Sequence, residues 1–210
     1  MKTDELIRAL AADNSGRVVP IARSLQISLL AGIVLSIALF LTMLHPRQDI
    51  VDAAQTLRFL FKFILAGSLA LTASAFLLDA AVPVSRRRYR GLLIPGLLVA
   101  VGVLVELSSV PSHVWYARLI GHNASHCLSL IPLLSLAPAV CLLVALRHGA
   151  PAKPALAGAA CGLVAGSIGA LLYALTCPDD SPLFVATWYT IAIAIVTIAS
   201  AFIGRRALRW

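Results

Sequence analysis

Charge is what this sequence has least of. Of its 210 residues only 12% are Asp, Glu, Lys or Arg, and 60% are hydrophobic, against about 25% charged and roughly 45–50% apolar in an ordinary soluble domain. A soluble globule is excluded. Acid is the scarcer sign, with nine Asp and Glu against seventeen Lys and Arg and a net charge of +8. The four cysteines include no Cys-x-x-Cys pair, so regular zinc-site spacing is absent. The first 24 residues are polar and acid-bearing, without the basic start and apolar run of a cleavable signal peptide, so the first apolar run reads as a retained anchor. The histidines crowd the connectors and no nucleophile sits in a recognisable motif. No catalytic residue is assigned, and the chain is read as a non-enzyme.

What is present is a set of six long apolar runs, approximately 25–44, 59–82, 91–110, 127–146, 155–175 and 183–203. Each reaches the roughly 20 residues that a helix needs to cross a bilayer. The expected fold class is therefore all-α: a polytopic six-helix transmembrane bundle over 23–210, preceded by an amphipathic segment at 1–22. Basic residues set the orientation, because positively charged loops stay on the cytoplasmic side. Thirteen Lys and Arg fall in the N-terminus, the 2–3 and 4–5 loops and the C-terminus, whereas the other side has Arg47, Arg58 and Arg118. Both termini are expected in the cytoplasm. The run Arg86-Arg87-Arg88-Tyr89-Arg90 lies beside span ends, where anionic lipid headgroups explain it better than nucleic acid does.

Within span five, Gly158, Gly162, Gly166 and Ala170 recur every four residues and form one small-residue face. Close packing inside the bundle is the expected use, with a contact between copies as the other reading. Pro95, Pro132 and Pro138 remove backbone donors from spans three and four, so bends are expected, with neighbours satisfying the freed carbonyls. Lys62, Asp79 and Glu106 are ionisable residues in or near spans, at depths that do not match as a proton or ion path. Lys62 is expected to snorkel outward, and all three read as helix-end or pairing residues.

Two polar features remain. The N-terminal residues read as a short helix capped by Thr3, with Asp4 and Glu5 at its positive end and Leu6, Ile7 and Leu10 on one face. A helix this short needs its apolar face covered, and its acids disfavour an anionic membrane. The inner face of the bundle and a groove on a soluble partner are both open to it. At the other end, Cys127 begins span four and Cys177 ends span five, so both belong to the outer surface, while Cys141 and Cys161 lie deeper as small apolar residues. The outer pair can form a disulfide or bind a soft metal ion, with His122, His126, Asp179 and Asp180 as further candidate ligands. No resident cofactor is required by either.

The N-terminal Met1-Lys-Thr-Asp-Glu-Leu-Ile-Arg-Ala-Leu-Ala-Ala-Asp13, Cys127 followed by Ser135 and Pro138, and Arg147-His-Gly-Ala-Pro151 form a recognisable set. With Cys177-Pro-Asp-Asp-Ser-Pro182-Leu-Phe184, Trp188-Tyr189 and Gly204-Arg-Arg-Ala-Leu-Arg-Trp210, it resembles the NrsF family over the whole chain. The resemblance implies a six-helix inner-membrane negative regulator of an extracytoplasmic-function sigma factor. Such an anti-sigma factor holds its partner at the cytoplasmic face and releases it on a periplasmic heavy-metal or oxidative signal. It implies signal sensing at Cys127 and Cys177 and sigma binding at the N-terminal helix, including Asp4, Leu6, Ile7 and Leu10. Lipids would be the other contacts, with no direct nucleic-acid binding. The alternative reading is a small metal-ion or metabolite transporter using Glu106 and the outer cysteines.

Overall fold

A computed structural model describes residues 3, 5, 20–82, 88–149 and 151–208. Six helical segments among the described residues are long and apolar enough to span a membrane: α1 (Ile21–Met43), α2 (Leu57–Ala80), α3 (Leu93–Ser109, with the turn before it a span of Tyr89–Ser109), α4 (Ala124–Leu146), α5 (Pro154–Ala174) and α6 (Pro182–Ala207). A 3-10 turn, Arg88–Leu92, leads into α3. No strand occurs among the described residues. The all-α, six-span class stands, with boundaries within four residues of those expected. The largest differences are at Ile21, where α1 starts early, and at Ala207, where α6 runs on. Asp4, Leu6, Ile7 and Leu10 lie outside the described residues.

The centre of the bundle is α5, with 67% of its apolar stretch buried against 17% for α3. Its composition explains this position. Lipid tails are as apolar as leucine, so helices in a membrane associate through close packing, and small residues allow the closest approach. A Cβ added at Gly158 would lie 2.4 Å from the Ser200 carbonyl oxygen, and one at Gly162 would lie 2.6 Å from the Thr197 Cα. Gly166 meets Ile193 at 3.1 Å in the same way, and Ala170 is fully buried. The stripe from Gly158 to Gly166 therefore faces α6. A second close approach, absent from the sequence reading, occurs at Gly169, whose added Cβ would be 2.6 Å from the Ile131 carbonyl oxygen of α4.

The prolines act differently from one another. Pro95 is the third residue of α3, in a first turn whose N–H groups have no intrahelical partner anyway, so it removes nothing from the helix interior. Pro132 and Pro138 do lie inside α4. Pro138 cannot bond the Leu134 carbonyl four residues back, and Ser36 of α1 donates its hydroxyl to that oxygen at 2.7 Å. The same proline seats against Gly32, where an added Cβ would come within 2.5 Å of the Pro138 Cα. One missing N–H is thus converted into the α1–α4 contact.

Candidate functional site: the thiol end of the bundle

The 1–2, 3–4 and 5–6 connectors gather at one end of the bundle, and both Cys127 and Cys177 lie there. Cys127 occupies the first turn of α4, and Cys177 follows α5 by three residues. The two thiols are free and 0% and 1% exposed, and the Cys177 thiol donates to the Asp179 carbonyl at 3.9 Å. Tyr173 is buried one helical turn before Cys177, whose backbone N–H donates to the Tyr173 carbonyl at 3.1 Å. Tyr189 closes the other side, its ring centroid 6.0 Å from that of Tyr173. Its buried hydroxyl has no hydrogen-bond partner. Interaction with the Cys127 thiol holds the Cys177 thiol below its ordinary pKa against the opposing effect of burial, with help from the Lys62 ammonium. A lowered pKa favours the thiolate, which is the reactive form of cysteine.

The loop after Cys177 is tied to every neighbour. Asp179 Oδ2 accepts from the backbone N–H groups of His122 (3.0 Å) and Asn123 (2.9 Å), and from Asn123 Nδ2 (3.0 Å). A carboxylate there satisfies donors at the start of α4 and complements the positive end of the helix. The turn that delivers these donors requires Gly121, with φ 59° and an added Cβ only 2.5 Å from Phe184. Asp180 stands 2.5 Å from Lys62 Nζ and 2.9 Å from Arg47 Nη1. Ser181 donates to Glu106 at 3.4 Å, and Glu106 also pairs with Arg118 and, at 3.1 Å, with Arg58.

Lys62 corrects an expectation. Instead of snorkelling toward water, its side chain is 0% exposed, donating to the Cys177 carbonyl at 2.9 Å and pairing with Asp180. Burying an ammonium is tolerable only with such partners. Lys62 thereby fixes the backbone at Cys177, a role that spacing could not disclose because its partners lie more than a hundred positions away. Glu106, the carboxylate of the transporter reading, is closed between two arginines.

The further metal ligands do not assemble around the sulfurs. The side chain of His122 is 96% exposed, and His126 is exposed on the first turn of α4. Asp179 and Asp180 are committed to backbone N–H groups and to cations. Among the described residues no group of three or more His, Cys, Asp or Glu could hold a metal ion. What the geometry joins is a dithiol. Cys161 lies apart, donating to the Ala139 carbonyl at 3.5 Å. Tyr189 entered the sequence reading only as part of the Trp188-Tyr189 pair, and Tyr173 was not singled out, although its helical spacing from Cys177 could have found it.

Fold and site together define a six-helix membrane protein with a sealed dithiol at one end. The sequence model described as "Negative regulator of sigma F" matches residues 10–210. The chain belongs to this family, NrsF. It is 33% identical to the protein named anti-sigma-F factor NrsF of Caulobacter vibrioides (strain NA1000 / CB15N), over the full length of both chains. It is 28% identical, again over both full lengths, to a probable anti-sigma-F factor NrsF of Azospira oryzae (strain ATCC BAA-33 / DSM 13638 / PS). No solved structure matches the chain.

Proposed function

We propose that this protein is an anti-sigma factor of the bacterial inner membrane that holds an extracytoplasmic-function sigma factor at its cytoplasmic face and releases it when Cys127 and Cys177 react. The observation that carries this reading is the burial of two free thiols at one end of the bundle, Cys127 in the first turn of α4 and Cys177 in the loop that ties the connectors there together. The names of both relatives support the sigma-binding role. The excess of basic residues beside the termini and the 2–3 and 4–5 loops supports the orientation, which puts the thiols in the oxidising periplasm. The signal is a disulfide or a soft metal ion shared by the two sulfurs. His122, His126, Asp179 and Asp180 are not needed for either.

A covalent bond or a shared ion at the sulfurs displaces Cys177 and loads α5. That helix is packed glycine-to-backbone on α6 down to Gly158 and Gly204, so the displacement is carried as a shift of the pair. The far end of α5 adjoins the Arg147–Lys153 loop at the cytoplasmic face. A coupling of about 1–3 kcal/mol changes affinity by roughly 5 to 150 fold, enough to release a partner. On this reading Asp4, Leu6, Ile7 and Leu10 of the N-terminal helix form the sigma contact. Basic residues meet lipid, and transcription is affected only through the partner.

The test is co-purification of cytoplasmic partners with the full chain and with a Cys127→Ser, Cys177→Ser double variant. Both should retain a sigma factor, and only the wild type should release it on exposure to oxidant or a soft metal ion. Equal release from both sinks the sensing role, and failure of the wild type to retain any sigma factor sinks the anti-sigma role.

A further inference from the structure

A cavity of about 400 Å³ lies between α2, α3 and α6, within the roughly 300–1,000 Å³ range of small-molecule sites. Its lining includes Leu69 of α2, Gly96 and Val99 of α3 and Ile193 of α6, with Lys62 and Tyr189 at the end nearest the thiols. These helices are long and apolar enough to span a membrane, so the occupant that suits the cavity is a lipid-soluble one. Its α6 wall includes Val185 and Tyr189, the first and last residues of a π-helical turn, Val185–Tyr189. Such turns are frequent at functional sites.

Resting on the thiol reading above, we propose that this cavity binds a membrane-soluble quinone, which is the oxidant of the Cys127–Cys177 pair. Four observations converge. The sulfurs are 0% and 1% exposed, which disfavours a water-borne oxidant. The occupant's head must be uncharged, because the cation at the site, Lys62, is already engaged by Asp180 and the Cys177 carbonyl. Tyr189 both lines the cavity and carries a buried hydroxyl with no hydrogen-bond partner. A quinone carbonyl supplies the missing acceptor, and the apolar lining takes the tail. Finally, Lys62 and Tyr189 both line the cavity and Lys62 donates to the Cys177 carbonyl at 2.9 Å, so a ring seated against them lies one side chain away from Cys177.

The step balances. Two S–H bonds break and one S–S bond forms, the cysteines together losing two electrons and two protons. The quinone takes both electrons, its two carbonyl oxygens take both protons, and it leaves as the quinol.

The full chain, reduced and reconstituted in liposomes, is compared with and without decylubiquinone, and the Cys127–Cys177 disulfide is read by thiol-alkylation mass shift. Quinone should accelerate the bond about tenfold or more, the gain expected from holding the reactants together. Gly96→Phe fills the cavity from a position where an added Cβ meets nothing within 4 Å, and Ala194→Phe fills it from the opposite wall. Each should lose most of the quinone effect yet form the disulfide with diamide at the wild-type rate. If diamide forms the bond and quinone adds nothing, the quinone proposal fails while the thiol reading stands. If quinone acts equally on both filled variants, the cavity holds only a lipid chain and the proposal fails. If no oxidant joins Cys127 to Cys177, the quinone proposal fails and the disulfide branch of the thiol reading falls with it, leaving the metal-ion branch.

Discussion

The Lys62–Asp180 pair is asymmetric, and the asymmetry predicts which half of it the protein can lose. Asp180→Asn leaves a fully buried ammonium with the Cys177 carbonyl at 2.9 Å and the Phe59 ring, 5.3 Å to its centroid, as its remaining partners. Removing one partner of a buried pair costs about 3–5 kcal/mol. The Asn side-chain oxygen recovers part of this, so the lower end is expected. Lys62→Met is milder. Asp180, with its side chain 19% exposed, keeps Arg47 at 2.9 Å, and the methionine fills most of the vacated volume. What is lost is one charged hydrogen-bonding partner, about 1.5–3 kcal/mol. The double variant leaves no buried charge unpaired and should be more stable than Asp180→Asn alone. Unfolding in mixed micelles by SDS titration, followed by far-ultraviolet circular dichroism, ranks the three. The reasoning is refuted if Lys62→Met costs as much as Asp180→Asn, or if the double variant costs the sum of the singles.

Three further outcomes are expected. In the same titration, Gly162→Ala should destabilise by about 1–3 kcal/mol through overpacking, because its Cβ would come 2.6 Å from the Thr197 Cα. Gly67→Ala, with nothing within 4 Å, should be neutral or stabilising by up to about 1 kcal/mol; similar costs at the two positions would contradict the packing role. Since Cys177 is held below its ordinary pKa of 9.0, its thiolate persists to lower pH than a free thiol's. Its alkylation by a membrane-permeant reagent should have its midpoint below pH 9, moving upward in Lys62→Met; an unmoved midpoint would remove Lys62 from the cause. Changing Leu6, Ile7 and Leu10 together to Asp should abolish sigma-factor retention with membrane insertion intact. Unchanged retention would move the contact to the basic loops.

The dithiol illustrates how sites of this kind are sealed. Each acid of the Cys177-Pro-Asp-Asp-Ser loop has a structural use, Asp179 at the start of α4 and Asp180 on Lys62 and Arg47. From the sequence alone the same acids read equally well as metal ligands, because spacing reports which groups are near one another and not which are already occupied. The loop's density of polar residues is the signature of a fastening, with the reactive sulfurs beneath it.

Composition by itself determined the fold class and the number of spans. A bilayer admits only segments that satisfy their own backbone hydrogen bonds, and each such segment must be long and apolar enough to be seen. The four-residue glycine spacing in α5 likewise announced a close-packed face, and chain order alone put Cys127 and Cys177 at the same end. Tertiary structure alone decided which helix meets that glycine face and that both thiols are buried. It also decided that Lys62 turns inward to a carbonyl 115 positions away and that Ser36 repairs the carbonyl freed by Pro138. The physical reason is common to all four. Local periodicity sets a helix and its faces, whereas the partner of a buried polar group is chosen by the arrangement that leaves the fewest such groups unsatisfied, and that arrangement exists only when the whole bundle is assembled.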